Sequence, residues 1–594
     1  MRTAETVLDV IRARGFQGLP LDDVYRQLFN PNLYLLAYSR IYRNAGATTR
    51  GVTEETVDGM SLQKIESIIE QMRYERFRWT PVRRVQIPKK NGKTRPLGVP
   101  TWTDKLVQEV VRLILEAYYE PQFSDRSHGF RPKRGCHTAL TTIDRTWQGT
   151  KWFIEGDIRG CFDNIDHHIL MSILREKIVD NRFLRLIELL LKAGYCEEWK
   201  YKPSLSGTPQ GAIVSPILAN LYLDKLDKFV EQTLIPEYTR GQRRAENSEY
   251  TKLVKLAWYY RKTGQIERAR KLELQYQKMP SKDVNDPNYR RLSYLRYADD
   301  FLLGFAGPIA EAKEIREKLR KFLETLKLEL SEEKTLITHA KTQAAKFLGY
   351  EIVVQQSDSK HTHGRRSLNG IIGLRIPAKF VEEKRRLYMA NGKPIHRAEL
   401  LNDDDLTIVS LYQAEYRGYV QYYSLAQNIA WLERVKQTMG MSLMKTLAYK
   451  HKTRVAIIGK KYKKTVRFPH GLRKCVEVTV ARTGKKPLIA RFGGLQLKRN
   501  LKATIQDLPK SRNYPRRNEL IKRLLADECE VCGATENIEV HHIRALKDLK
   551  DKSSKEKPLW IQIMSARKRK TLMVCKDCHD SIHAGREMKR RVTK

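Results

Sequence analysis

The stretch Tyr297-Ala298-Asp299-Asp300 constrains this chain more than any other. An alternating run at 292–296 precedes it and an apolar run at 301–305 follows it, which predicts a β-hairpin with two adjacent carboxylates at its tip. Two carboxylates at the end of buried strands are costly unless a cation neutralises them. Magnesium, which prefers such oxygens, is the natural partner. Taken alone the pair reads more readily as a solvated turn, where Asp is common. A second apolar run, Trp152–Ile158, however, carries Asp157 near its end. If the runs are neighbouring strands, Asp157, Asp299 and Asp300 can hold two Mg2+ ions. That arrangement aligns an attacking hydroxyl with a phosphate and stabilises the leaving oxygen.

The composition agrees with a phosphate-rich partner. Lys and Arg number 112 against 68 Asp and Glu, a formal net charge of +44 over 594 residues. An excess of that size points to nucleic acid. A length near 600 implies several domains, and 41% hydrophobic against 30% charged residues implies a globular chain. No apolar run is long enough to span a bilayer, so no membrane partner is expected. The start, Met1–Gly15, lacks the apolar core of a secretory signal. Of eight Cys, 136, 161, 196 and 475 are scattered and read as free thiols, whereas Cys529-x-x-Cys532 and Cys575-x-x-Cys578 are paired. Paired spacing predicts a four-thiolate zinc site in a reducing compartment, cytoplasmic or organellar, rather than a disulfide framework.

The runs 155–167 (EGDIRGCFDNIDH), 206–216 (SGTPQGAIVSP) and 297–300 (YADD) resemble the successive palm motifs of reverse transcriptases. The resemblance implies a right-hand polymerase of α+β fold, with fingers and palm over 1–370 and a helical insertion at about 236–290. It implies that Asp157, Asp299 and Asp300 are catalytic and bind Mg2+, that Phe162 excludes the 2′-hydroxyl of a ribonucleotide, and that Gln210 touches the nucleotide or its template partner. Asp163 and Asp166 read as capping or turn residues. Lys334 stands where the family has a palm lysine, and 347–352 (FLGYEI) is similar to its primer-grip hairpin. In 81–100 (PVRRVQIPKKNGKTRPLGVP), Asn91-Gly92 signals a hairpin, and Arg83, Lys89 and Arg95 recur at even spacing. A solvated basic face is the simpler reading of those cations; the family's fingers hairpin implies that they bind the triphosphate. Arg131, Lys133 and Arg134 are expected near template phosphates, and His137 is expected to be structural.

Residues 1–80 read as helices, with Tyr34, Tyr38 and Tyr42 on one face as core packing. Residues 371–455 are largely helical and resemble the maturase (X) domain that serves as thumb; its tyrosines 412, 416, 419, 422 and 423 read first as a core stripe. The resemblance makes Arg417 and the tyrosine hydroxyls candidate RNA contacts. Residues 450–523 hold 23 Lys or Arg against three acids, which suggests backbone binding by counterion release on loops between short strands. In the family order, 456–525 is the DNA-binding domain.

The tail, 526–594, resembles an HNH nuclease (ββα-metal) interleaved with a zinc knuckle. The resemblance gives His541 to the nuclease metal, a divalent ion such as Mg2+, and makes His542 the general base that activates water. His579 or His583 completes the metal site. The family's middle Asn is not evident near Lys570-Thr571. A purely structural zinc module is the alternative. The whole order is similar to group II intron-encoded proteins, and implies reverse transcription from deoxynucleoside triphosphates, help in intron RNA splicing within a ribonucleoprotein, and nicking of double-stranded target DNA. A homodimer is compatible with it. A cellular reverse transcriptase outside intron mobility, or a binding-only maturase, is the rival.

Overall fold

Period-two apolar runs become one antiparallel core sheet. Leu292–Tyr297 pairs with Asp300–Phe305, which pairs with Trp152–Asp157, which pairs with Ile337–His339; Ser127–His128 lies parallel on the far edge. The computed structural model describes residues 2–586 other than 45, 89–91, 93, 198–199, 203–206, 208–210, 358, 363–364, 367, 483, 506–518, 546–548, 550–557 and 568. Close packing explains the glycine of Glu155-Gly156-Asp157, since a Cβ there would lie 2.1 Å from the Phe301 ring on the paired strand. The hairpin expected at 347–352 is present as Ala345–Phe347 against Tyr350–Val354. Its turn residues Leu348 and Gly349 both take positive φ, the backbone a two-residue hairpin requires.

A second sheet builds the fingers. Val82–Pro88 pairs antiparallel with Thr94–Val99, and Tyr195–Glu197 joins it on the other side. The helix Trp102–Tyr119 is buried along nearly its whole length, its polar side included, where Arg112 pairs with Glu109 and Glu116. Thr101 caps its first turn, and the helices Ala4–Phe16 and Pro31–Ile41 pack against it. The stretch expected as an insertion forms a charged helical pair, Ser248–Lys262 and Ile266–Tyr276, that buries little besides Ala257 and Ala269.

Beyond the palm, Asp405–Tyr422 and Leu432–Lys450 form a helical unit. Tyr412, Tyr416 and Tyr423 are core residues there. Their hydroxyls are not offered to RNA: Tyr412 meets Ser442 and Thr446, while Tyr422 and Tyr423 donate to the carbonyls of Leu348 and Gly349. Arg417 is exposed. The basic segment differs from the expected loops between short strands. Lys463–Phe468, Gly471–Arg482 and Lys485–Gly493 form a three-stranded meander whose inner face, through Val476, Val478 and Phe492, packs on the tyrosine helix. Alternation between apolar and basic residues made these strands look too polar to be long, because only one face is buried.

The C-terminal unit pairs Ile538–His542 with Thr571–Cys575 and adds the helix Lys576–His583. Helix Glu519–Leu525 packs on this sheet, and Arg523 pairs with Glu530, so the packed unit begins before residue 526. Its apolar side joins the same core as the N-terminal helices. Among the described residues no helix is long and apolar enough to cross a membrane.

Candidate polymerase and nuclease sites

Strand register brings the palm acids together. Asp157 stands directly opposite Asp300, and Asp299 lies in the turn next to it. That turn needs support, because Ala298 adopts φ +54°, which is unfavourable for a residue with a Cβ. Arg296 supplies it. Fully buried, its guanidinium forks onto Asp227 at 2.8 and 2.6 Å and donates to Asn220 Oδ1, Ser127 Oγ and the Ala298 carbonyl. All five donors are thereby used, the condition under which a buried ion pair is tolerated. Neither Arg296 nor Asp227 stood out in the sequence, since an Arg in an alternating strand reads as an outward-facing residue.

The site's electrostatics suit a cation. Burial, the hydrogen bond with Asp157 and the charge of Asp299 push the Asp300 carboxyl up to about 7. Burial also raises Asp299. Lys334 donates to Asp157 Oδ2 at 2.7 Å and is the one lysine found bonded to these acids among the described residues. Three converging carboxylates, two of them raised by burial, are a donor set for divalent metal. Asp166 caps the helix His167–Arg175 and pairs with Lys327, as expected of a structural acid.

Of the five residues expected to face the nucleotide, three are placed. Arg83 and Arg95 share one face of the fingers hairpin, since Arg95 lies opposite Ile87, four residues from Arg83. Arg83 donates to the Arg50 carbonyl, and Arg95 is exposed. Lys89 and Gln210 lie outside the described residues. Phe162 is half-buried and meets Phe130 edge-on at 6.4 Å. Gly207, at φ +85°, passes so close to Asp163 that a Cβ would lie 2.6 Å from its carbonyl, and His167 holds the Gly207 carbonyl at 2.8 Å. Arg131 corrects an expectation. It is buried, bound to the carbonyls of Ser124 and Ser127 and paired with Glu120, so it braces a loop instead of facing a template. Arg134 pairs with Asp125, and Lys133 is exposed. His137, buried and bonded to the Tyr422 carbonyl, is structural.

The tail contains two donor clusters. Cys529, Cys532, Cys575 and Cys578 bring their sulfurs within 4.8 Å of one another. Cys532 and Cys575 stand 3.6 Å apart, far beyond a disulfide bond, while the Cys532 amide points at the Cys529 sulfur. Four converging soft ligands fit zinc. The second cluster is Asp58, His541, His579 and His583, also within 4.8 Å. His579 Nδ1 meets Glu539 at 2.6 Å, which turns Nε2 inward to within 3.2 Å of Asp58 Oδ1 and of His583 Nε2. A carboxylate behind a histidine in this way is the usual support of a metal ligand. Burial alone would discharge His579, but its bonds to Asp58 and Glu539 outweigh that and raise it to about 9. Buried His541 makes no hydrogen bond through either ring nitrogen among the described residues, and its Nδ1 lies 3.4 Å from Asp58 Oδ1.

His542 stands beside this cluster rather than in it. Burial keeps its ring neutral, with a pKa down at about 3, and its Nε2 meets the Tyr38 hydroxyl at 2.8 Å. Tyr38 is buried, as expected of core, yet its hydroxyl reaches across to the tail. Asp58 and Tyr38 carried no sequence signal toward this site. Both histidines that the sequence left as alternatives, 579 and 583, enter the cluster.

The chain is similar to known proteins along most of its length. The reverse transcriptase (RNA-dependent DNA polymerase) family matches residues 87–352, the type II intron maturase family 369–483, and the AI2M/AI1M-like HNH endonuclease family 529–579. The group II intron-encoded protein LtrA of Lactococcus lactis subsp. cremoris is 41% identical over 94% of either chain. A 91 kDa protein in the cob intron of Schizosaccharomyces pombe is 34% identical over 97% of this chain and 71% of its own. Protein YkfC of Escherichia coli is 32% identical over 52% of this chain and 76% of its own.

Proposed function

The chain belongs to the family of group II intron-encoded proteins, and on that premise we propose how its residues divide the family's work. It is a multifunctional protein with RNA-directed DNA polymerase, maturase and HNH DNA endonuclease domains. Asp157, Asp299 and Asp300 are the polymerase carboxylates. Bound there, divalent metal would supply charge stabilisation for the attacking 3′-hydroxyl and the leaving pyrophosphate. Lys334 keeps Asp157 in place until the site is charged. Arg83 and Arg95, with Lys89, face the triphosphate, and Phe162 leaves no room for a 2′-hydroxyl. Gln210 contacts the nucleotide or the template.

In the tail, the four Cys hold zinc and shape. His541, His579 and His583 hold the nuclease metal, and His542 takes the proton of the attacking water. The nuclease unit is taken from Glu519 onward, the basic meander supports target DNA through its exposed lysines and arginines, and the tyrosine-rich helical unit belongs to the maturase. The partners are intron RNA, double-stranded target DNA and deoxynucleoside triphosphates. Splicing help is a binding effect, in which the protein stabilises the RNA's active fold.

The observation that carries the polymerase reading is the pairing of Asp157 with Asp300 beside a turn braced by buried Arg296. Asp157→Ala and Asp299→Ala should each abolish primer extension while intron splicing by the same preparations stays near the parental rate. Extension at the parental rate by either variant would overturn the assignment.

A further inference from the structure

The nuclease cluster contains a ligand from outside the nuclease. Asp58 belongs to the loop between the N-terminal helices Pro31–Ile41 and Leu62–Arg73, yet it closes the set formed by His541, His579 and His583. Its Oδ1 lies 3.2 Å from His579 Nε2 and 3.4 Å from His541 Nδ1, and its Oδ2 lies 3.0 Å from His583 Nε2. All three imidazoles therefore face one carboxylate, and buried His541 has no hydrogen-bond partner for either nitrogen among the described residues. A buried imidazole left unbonded is costly unless something takes its lone pair.

The position of Asp58 is built rather than incidental. Met60 pairs antiparallel with Val540, through Gly59 N–H to the Val540 carbonyl at 3.1 Å and Val540 N–H to the Met60 carbonyl at 2.9 Å. The loop is thus tied by a single antiparallel bridge to the edge of the two-stranded nuclease sheet. Gln63 bonds Asn537 at 3.0 Å, and the His542 amide donates to Asp58 Oδ1 at 2.7 Å. Gly59, at φ +78°, makes the turn that presents Asp58.

We propose that Asp58 is the fourth protein ligand of the nuclease metal, so that the metal site is shared between the polymerase half and the nuclease. This rests on reading His541, His579 and His583 as that metal's ligands. Three imidazoles and one carboxylate suit a divalent first-row ion. A metal held by ligands from both halves binds the docked arrangement more tightly than the separated one, so metal and docking stabilise each other.

The test uses the full-length, zinc-loaded protein with Asp157→Asn and Asp299→Asn in every sample, so that the palm does not hold the probe. Manganese binding is followed by electron paramagnetic resonance. Amide hydrogen exchange is followed in peptides covering 57–63 and 537–542, with and without manganese. The expected result is that Asp58→Ala weakens manganese at least tenfold and removes the manganese-dependent slowing of exchange across the seam. Asp58→Asn keeps an oxygen for the His542 amide but loses the charge, and it should weaken manganese severalfold with zinc content unchanged. His579→Ala separates the two readings. If it abolishes binding while both Asp58 variants bind like the parent, Asp58 is not a ligand and the nuclease metal reading stands. If His579→Ala also binds like the parent, the metal site itself is wrong.

Discussion

The palm and the nuclease place their charged side chains by different means. In the palm, Asp157 and Asp300 are register partners on adjoining strands, and Asp299 is held by the same hairpin. Their separation is fixed by backbone pairing within one sheet. In the nuclease, three histidines come from one small sheet and helix, but Asp58 and Tyr38 arrive from elements 484 and 504 residues away in sequence. Their positions depend on two packed units staying docked. A site fixed by register is lost only when its sheet is lost. A site closed by docking can open while both parts remain folded.

The strongest test of that contrast is Arg296. Replacing it with Ala strands Asp227 without its partner in the core, which should cost about 3–5 kcal/mol. Denaturant melts should show the palm unfolding first, with primer extension lost. The four cysteines of the tail should still bind zinc. If extension and stability match the parent, Arg296 does not hold the catalytic turn.

A smaller effect is expected at Tyr38. Tyr38→Phe removes the hydroxyl on His542 Nε2 while keeping the ring in the core. Loss of one such bond should slow strand nicking by about tenfold, with polymerase activity unchanged. Nicking assays and primer extension on the same samples would separate this positioning role from general damage. Equal losses in both would point to a core defect instead.

The palm should in turn show a pH response. Asp300 sits at about 7 because burial and its two acid neighbours oppose its charge. Metal needs the charged carboxylate, so protons compete as the pH falls through that value, and the competition disappears above it. The magnesium concentration giving half-maximal extension should rise by up to about tenfold per unit below pH 7 and be flat above pH 8. An unchanged requirement between pH 6 and 8 would mean that Asp300 is already charged in the working enzyme.

Much of the palm could be read from the chain because its chemistry and its periodicity coincide. Asp157 and Asp299-Asp300 end apolar runs, and strand pairing then leaves few places for them to go. The thiolate pairs and His541-His542 were visible for a similar reason, since their spacing is local. The same logic failed for Arg131, where a basic Gly- and Pro-containing loop suggested a phosphate contact. Glu120 and two buried carbonyls claim that side chain instead. It failed again in the basic segment, where long half-buried strands looked like short strands joined by loops.

By itself the sequence singled out the palm carboxylates, the four cysteines and the histidine pairs, each set by spacing that local backbone geometry must respect. Only the tertiary structure decided what holds them. Asp58 lies in a polar loop, Thr53–Asp58, whose composition fits any exposed turn. Tyr38 lies on a helix face indistinguishable from core, and Arg296 on a strand where an Arg would be expected to face water. Each acquires its role from a partner distant in sequence. Long-range partners are chosen by the packing of whole units, and burial of a charge or hydroxyl is favourable only once that packing brings the matching group within bonding distance.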